Sequence, residues 1–249
     1  MKNTVRIVDK GETFHFKQFA IHQSSQVMKV GTDAVLLGAW AHHPAPTQIL
    51  DIGTGCGVIA LMLAQRYPHA RVTGIDIEQA SIELAQKNFS NSPFKDRMTG
   101  VLSPLQAFKK EGGPYDLIVS NPPFFTGGAI TDQGGRDIMR HTIKLSHNEL
   151  LRSVRTLLSA SGAFAVVLPL LEGLRLIELA GMYNLHADQQ VLVRSLADKK
   201  VERLLIRFRP EPGKLEEKEL VIQNSTASHD YTPEYISLTR AFYLNMPND

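Results

Sequence analysis

Short apolar runs alternate with longer amphipathic runs along residues 48–183. Runs of four to eight apolar residues are typical of buried strands, and apolar positions spaced three and four apart are typical of helices, so the alternation predicts crossover units that build a parallel sheet. The predicted strands are residues 48–52, 71–77, 97–102, 115–120 and 162–169, and the predicted helices are residues 58–67, 79–89, 146–158 and 171–183. Ser146 and Glu149 form a predicted capping box.

The hydrophobic pattern changes after residue 186. Residues 187–196 and 201–210 alternate with a period of two, and a short turn joins them, which predicts a closing antiparallel hairpin. ELVIQN, residues 219–224, is a candidate further strand. The N-terminal residues 5–23 alternate in places and carry Gly11, which predicts a small hairpin that turns at this glycine ahead of the main sheet.

Composition narrows the class of protein. The chain has 249 residues, 43% of them hydrophobic and 21% charged, with a formal net charge of +2, which is typical of a globular protein and excludes the disordered class. Its single cysteine excludes an internal disulfide or a cysteine zinc site, and no metal site is expected. No apolar stretch approaches the roughly 18 residues of a membrane span, and the N-terminus lacks a signal-peptide core. We therefore expect a cytoplasmic protein with no membrane association.

A glycine-rich loop lies between the first core strand and its helix. LDIGTGCGVIAL places Asp51, Gly53, Gly55 and Gly57 there, and Asp76 ends the next strand. Glycines in this turn let a ligand approach the backbone, and an acidic residue after the second strand accepts bonds from ribose hydroxyls. The spacing is not the dinucleotide G-x-G-x-x-G, and the first carboxylate would repel pyrophosphate but attract the amino group of S-adenosylmethionine. The loop therefore predicts S-adenosylmethionine as cofactor, rather than a turn that only packs helix on strand.

The fourth core strand leads directly into Asn121, Pro122, Pro123 and Phe124. Two prolines fix two φ angles and remove two donors, so the Asn121 side-chain oxygen and the Pro122 carbonyl become rigid acceptors for a planar amino group. Phe124 offers a face on which a base can stack. The alternative is a rigid turn without chemistry, but the position at the carboxyl end of a parallel strand favours catalysis.

Basic residues follow this tetrad, and they are the predicted contacts to nucleic acid. Phosphate neutralisation by lysine and arginine supplies much of the affinity of RNA-binding proteins. The group could grip the phosphates on either side of an extruded base, although each residue singly could be an ordinary surface charge. It consists of Arg136, Arg140, His141 and Lys144.

DIGTGCG, GIDI and NPPF, in this order, resemble the class I methyltransferases of the N6-adenine type. The flanking segments 17–41, 140–151 and 231–246 are similar to the valine-tRNA adenine-N6 methyltransferase family. The resemblance covers nearly the whole chain and implies an α/β, Rossmann-like fold: a seven-stranded, mostly parallel sheet with an antiparallel last strand and helices on both faces. It implies methyl transfer from S-adenosylmethionine to the adenosine immediately 3′ of the anticodon of a valine tRNA.

The same resemblance divides the chain and assigns further residues. It implies one methyltransferase domain, with residues 1–47 as an N-terminal extension over the cofactor and residues 48–249 as the catalytic core. Lys29, Thr32 and Asp33 would then lie over the bound donor, although Thr32 or Asp33 would also make an ordinary helix N-cap. Ser103 stands where family members commonly carry an acidic residue for the cofactor adenine, so we expect a hydroxyl or backbone contact there. We expect a monomer.

Other functions share these motifs and stay open at this point. N-P-P motifs also serve N2-guanine methylation of rRNA and N5-methylation of protein glutamine. The glutamine enzymes typically carry a separate helical N-terminal domain, which the 47 residues before Gln48 do not resemble. An NAD-dependent oxidoreductase is disfavoured by the glycine spacing. A non-catalytic RNA-binding module would tolerate the loss of the Asn121 side chain.

Overall fold

The computed structural model describes residues 12–109, 113–122 and 145–246, and an eight-stranded sheet runs through them. The strands lie in the order β10-β8-β9-β7-β6-β3-β4-β5, and all run parallel except β9, which is antiparallel to both of its neighbours. The strands are β3 (Gln48–Ile52), β4 (Arg71–Asp76), β5 (Met98–Leu102), β6 (Tyr115–Ser120), β7 (Leu158–Pro169), β8 (His186–Arg194), β9 (Arg203–Arg209) and β10 (Glu216–Val221).

Helices cover both faces of this sheet. Successive side chains of a strand point to opposite faces, so Ile49 packs with the helices of one face and Leu50 with those of the other. One core joins α1, α2, α3 and α6, and the second joins α4 and α5. The helices are α1 (Thr32–Trp40), α2 (Val58–Arg66), α3 (Gln79–Ser90), α4 (His147–Leu157), α5 (Leu170–Ala180) and α6 (Pro233–Thr239).

The predicted α/β class is confirmed, and the predicted strand count is one too low. The eighth strand is β10, within which the candidate ELVIQN begins, and it pairs in parallel with the edge of β8. An unpaired strand edge carries free N–H and C=O groups, and β10 satisfies those of β8. Strand β7 also begins earlier than predicted, at Leu158, because α4 ends at Leu157 and the chain becomes extended at once.

The N-terminal extension contains a two-stranded hairpin, β1 (Thr13–His15) and β2 (Ala20–His22). The observed turn is at residues 16–19 rather than at Gly11, which lies outside the described residues. Phe16, Phe19 and Ile21 are buried in the same core as α1 and α2. The extension therefore packs directly onto the core of the main sheet.

Two smaller expectations can also be compared with the structure. The capping box of α4 is confirmed: the Ser146 hydroxyl accepts from Glu149 N at 3.2 Å, and Glu149 Oε2 accepts from Ser146 N at 3.0 Å. Among the described helices, none is both long and apolar enough to cross a bilayer.

Candidate active site at the carboxyl edge of the sheet

The glycine loop joins β3 to α2 through three left-handed residues. Gly53, Gly55 and Gly57 have φ values of +71°, +54° and +84°, which residues other than glycine rarely adopt. A Cβ built at Gly57 would lie 2.5 Å from the ring of Phe89, so this glycine is also needed for packing. A Cβ built at Gly53 or Gly55 would meet no described atom within 4 Å. These two glycines therefore present open backbone that a ligand can approach.

Strand β4 holds the loop in place through backbone bonds and Asp76. Gly53 N and Thr54 N both donate to Ile75 O at 2.9 Å. Asp76 Oδ2 accepts from Gly55 N at 3.0 Å, and Asp76 Oδ1 accepts from Glu78 N at 3.0 Å. A carboxylate oxygen has two lone pairs, so each retains capacity for a ribose hydroxyl.

Asp51 is fully buried beneath the loop. Its Oδ2 accepts from the Thr54 hydroxyl at 2.7 Å and from Ala60 N at 3.2 Å, whereas Oδ1 has no hydrogen-bond partner among the described residues. Burial raises the pKa of Asp51 to about 7, although both hydrogen bonds oppose the shift. An unpaired buried oxygen is costly, and a donor such as an ammonium group or a water would satisfy it.

Thr54 is a positioning residue that the sequence analysis missed. Its hydroxyl fixes Asp51, and it packs so closely on β4 that a Cβ at Gly74 would lie 2.6 Å from Thr54 Oγ1. The glycine of GIDI therefore makes room for this threonine. The signal was present in the sequence as a threonine inside one motif and a glycine inside the next, but only the fold brings them together.

Ser103 lies beside Asp76, at the carboxyl ends of β5 and β4. Ser103 N donates to Asp76 O at 2.9 Å, while the Ser103 hydroxyl donates to Pro104 O at 3.1 Å. Two large apolar side chains that the sequence analysis missed are exposed here: Ile77 and Leu102, each 49% exposed. Because Leu102 pairs with Asp76 in the sheet, these side chains offer an apolar surface next to the acidic residue.

Asn121 leaves the sheet beside the glycine loop. Ile52 pairs with Ser120, and the buried Ser120 hydroxyl donates to Ile52 O at 3.0 Å, so the residues that follow lie on neighbouring strands about 4.8 Å apart. Asn121 is half-buried and Pro122 is buried. The other predicted residues of this side lie outside the described residues: Pro123, Phe124, Arg136, Arg140, His141 and Lys144.

The N-terminal residues expected over the donor contact other partners. The N-cap of α1 is Gly31, so Thr32 and Asp33 occupy the first helical turn, and the N-cap interpretation of either residue is wrong. Asp33 Oδ2 accepts from Arg203 Nε at 2.8 Å, which draws its carboxylate toward β9. Lys29 forms an exposed ion pair with Glu12 at 2.9 Å.

Asn88, on α3, joins the N-terminal hairpin to the glycine loop. It is fully buried; its Nδ2 donates to Cys56 O at 2.8 Å and His22 O at 3.1 Å, and its Oδ1 accepts from His22 N at 2.9 Å. This residue therefore fixes the loop backbone from behind. Cys56 itself is buried, and burial raises the pKa of its thiol to about 11, in agreement with a small packing residue rather than a nucleophile.

Comparisons with known proteins agree with this architecture. Solved structures with the same fold include a predicted O-methyltransferase from Agrobacterium tumefaciens, with a TM-score of 0.66 and 19% identity over 84% of this chain and 96% of that one. The glycopeptide N-methyltransferase MtfA, solved in complex with S-adenosyl-L-methionine, has a TM-score of 0.50 at 12% identity over 67% of this chain and 88% of that one. Fold and glycine loop together define a class I methyltransferase.

Sequence comparison gives the family. Residues 23–168 match the model of the methyltransferase small domain. The tRNA1(Val) (adenine(37)-N6)-methyltransferase of Vibrio parahaemolyticus is 42% identical over 94% of this chain and 96% of its own length, and that of Flavobacterium psychrophilum is 40% identical over 94% of this chain and 100% of its own length. The chain belongs to the tRNA1(Val) (adenine(37)-N6)-methyltransferase family.

Proposed function

We propose that this protein transfers a methyl group from S-adenosylmethionine to N6 of adenosine 37 in a valine tRNA, the reaction for which its relatives are named. The observation that carries the proposal is the shared edge at which Asn121, directly after β6, lies beside the open glycines that Asp76 holds from β4. Because tRNA occurs in the cytoplasm, we propose that compartment as the place of action.

The residues present fit S-adenosylmethionine. The unpaired Asp51 Oδ1 suits the amino group of the methionine portion, and the open backbone at Gly53 and Gly55 leaves room for the ligand. Asp76 retains lone pairs for the ribose, and the exposed Ile77 offers an apolar face for the adenine. When bound, this cofactor supplies a methyl group on a positively charged sulfur. Lys29 and Thr32 would cover the donor from the N-terminal side.

Asn121 and Pro122 hold the amino group that receives the methyl. We assign the Asn121 side-chain oxygen and the Pro122 carbonyl as acceptors for the two N6 hydrogens, which draws the nitrogen lone pair out of conjugation with the ring. The N–H proton becomes acidic as the new N–C bond forms, so water suffices as its acceptor. Pro123 stiffens the turn, and Phe124 gives the base a stacking face.

The whole chain carries little net charge, so its binding to RNA must depend on a local group of basic residues. Arg136, Arg140, His141 and Lys144 follow the catalytic tetrad in the chain, and we assign them to phosphates on either side of the extruded adenosine. A base in an anticodon loop is already partly unpaired, so extruding it costs less than it would in a duplex.

The deciding experiment is nucleoside mass spectrometry of valine tRNA from cells that lack the gene. N6-methyladenosine should disappear, return with the wild-type gene, and stay absent with Asn121→Ala, while purified Asn121→Ala still binds S-adenosylmethionine. Asn91→Ala, at the exposed end of α3, is the matched control and should restore the modification. Unchanged N6-methyladenosine in the deletion strain overturns the proposal. The guanine and glutamine alternatives predict loss of N2-methylguanosine or of glutamine methylation instead.

A further inference from the structure

The C-terminal segment 231–246, which the mechanism above does not use, lines a pocket of about 400 Å³. The first turn of α1 and the segments that end β8, begin β9 and follow β10 complete its wall. Its volume lies within the range of small-molecule sites, which hold roughly 300–1,000 Å³. The lining is aromatic and polar rather than purely apolar, so the pocket suits a flat, polar ligand.

This pocket lies at the same edge of the sheet as Asn121. Arg203 lies in its wall and pairs with Pro169 at the end of β7, and β7 is the neighbour of β6. At about 4.8 Å per strand, the strands that lead to Asn121 and Arg203 are roughly 10 Å apart. The pocket is therefore close enough to Asn121 for one polymer to contact both.

Tyrosines form one wall of the pocket. The rings of Tyr231 and Tyr235 lie 4.9 Å apart at 35°, with Tyr235 buried and Tyr231 half-buried. Tyr235 is also hydrogen-bonded to Tyr243, and burial raises the pKa of Tyr235 above its ordinary value. Packing from behind fixes Tyr231 as a rigid aromatic surface, and bases of any identity stack on such surfaces.

Polar residues lie next to this aromatic surface. Gln223 forms an antiparallel bridge with Tyr231, its N donates to Ser195 O at 3.0 Å, and its side-chain amide carries both donors and an acceptor. Glu202 Oε1 accepts from the Ser195 hydroxyl at 3.2 Å, which leaves its second oxygen for a ligand. An amide and a carboxylate are the groups that read the edge of a base carrying an exocyclic amine.

Charge around the pocket is mixed. Asp33 is paired with Arg203 at 2.8 Å, whereas Glu202, which also lies in the wall, forms no ion pair with the described residues. The turn between β8 and β9 carries two exposed lysines, Lys199 and Lys200, close in sequence to Ser195 and Glu202. Exposed lysines beside an aromatic surface are typical of single-stranded nucleic-acid sites.

We propose that this pocket is a second nucleobase site, which takes one base of the tRNA strand other than the methylated adenine. The base stacks on Tyr231, and Gln223 and Glu202 read its edge, which favours a base with an exocyclic amine over uracil. This inference rests on the proposed function, because it takes the polymer at Asn121 to be RNA. It gives the enzyme a contact for sequence recognition that is separate from the residues that hold the target.

The test measures the Kd of valine tRNA transcripts in which a single abasic site replaces each anticodon-loop nucleotide in turn, other than adenosine 37. With the wild-type protein, the abasic site should weaken binding at one position only, by roughly tenfold, and we call this the responsive position. Tyr231→Leu should bind the intact tRNA about tenfold more weakly and lose the response at that position. Tyr183→Leu is the matched control, since Tyr183 is also half-buried but follows α5 and packs against the core of the other face of the sheet.

A second pair of variants tests base reading and remains available if Tyr231→Leu unfolds. At the responsive position, the wild type should prefer a base with an amino group over uracil by roughly tenfold, and Gln223→Met should remove the preference. Gln189→Met, in the middle of β8 and away from the pocket lining, should keep it.

Methylation of the same transcripts separates this inference from the proposed function. If the transcripts are methylated but no abasic site weakens binding, or if the weakening persists in Tyr231→Leu and Gln223→Met, the second nucleobase site is rejected and the proposed methyltransferase function stands. If both variants abolish the weakening but no N6-methyladenosine forms, the nucleobase site is supported and the proposed function is rejected. Absence of tRNA binding by the wild type overturns both.

Discussion

The two halves of the carboxyl edge are built by different means. In the half formed by β3, β4 and β5, the site consists of backbone groups in left-handed glycines and of two carboxylates: Asp76 accepts from Gly55, and Asp51 accepts from Thr54 and Ala60. In the half formed by β9, β8 and β10, the pocket consists of side chains from segments far apart in the chain. The first half is built mainly from two short motifs, with Asn88 as a support from elsewhere in the chain, and the second half depends only on the tertiary fold. Substitutions should therefore have large effects on stability in the first half and small ones in the second.

Gly57→Val should give the largest loss of stability. The substitution combines a left-handed φ of +84° with a clash 2.5 Å from the Phe89 ring, and we expect the free energy of unfolding to fall by about 3 kcal/mol. Chemical denaturation measures it, with Gly213→Val as the control, since a Cβ at Gly213 meets no described atom within 4 Å and its φ is not left-handed. A loss below about 1 kcal/mol would show that the loop relaxes easily.

Asn88→Ala should cost slightly less, about 2–3 kcal/mol, because it leaves backbone groups of His22 and Cys56 buried without partners. It should also weaken binding of S-adenosylmethionine, since the loop loses its support from behind. Asn91→Ala, on the exposed end of the same helix, is the control. Equal effects of the two substitutions would contradict the role of Asn88 in positioning the loop.

Asp51 should make cofactor binding dependent on pH. Its pKa of about 7 lies above the unfolded value near 3.8, so its contribution to the stability of the free protein is complete below pH 3.8 and is lost as pH rises through 7. The cationic cofactor favours the ionised form, so affinity should fall up to tenfold per unit below pH 7. Calorimetric titration between pH 6 and 8 measures it. The Asp51→Asn variant should bind S-adenosylmethionine weakly, with an affinity that does not depend on pH in this range. A steep pH dependence in that variant would show that another group takes up the proton.

Arg203→Met should have the smallest effect, and it probes the pocket half. The Arg203 and Asp33 side chains are 37% and 34% exposed, so solvent screens their ion pair and we expect a loss of about 0.5 kcal/mol or less in the free energy of unfolding. Thermal unfolding at low and high salt measures it. A loss above about 2 kcal/mol would place this pair among the structural supports of the fold and remove the contrast between the two halves.

The sequence alone predicted those features of the site and fold that depend on residues close together in the chain. The glycine loop, Asp76, the capping box of α4 and the position of Asn121 all follow from short motifs read against strand and helix periodicity. Asn88 could not be predicted, because its two partners lie 66 and 32 residues away and an asparagine within a helix is unremarkable by itself.

Two errors have a similar cause. Thr32 and Asp33 have the residue types of an N-cap, but Arg203, 170 residues later in the chain, draws Asp33 into the first turn of α1. Strand β10 was only a candidate because an edge strand with four exposed residues carries a weak alternating pattern. In both cases the deciding interaction joins parts of the chain that local patterns do not connect.

The contacts of Asn88 also constrain the order in which parts of the chain can fold. During synthesis the hairpin that contains His22 leaves the ribosome first, and its partner on α3 follows 66 residues later. The donor site cannot acquire its final shape until both have docked against the loop between them. Support of the glycine loop therefore depends on residues from 22 to 88, whereas Ser103 and Asn121 reach the same edge only through β5 and β6.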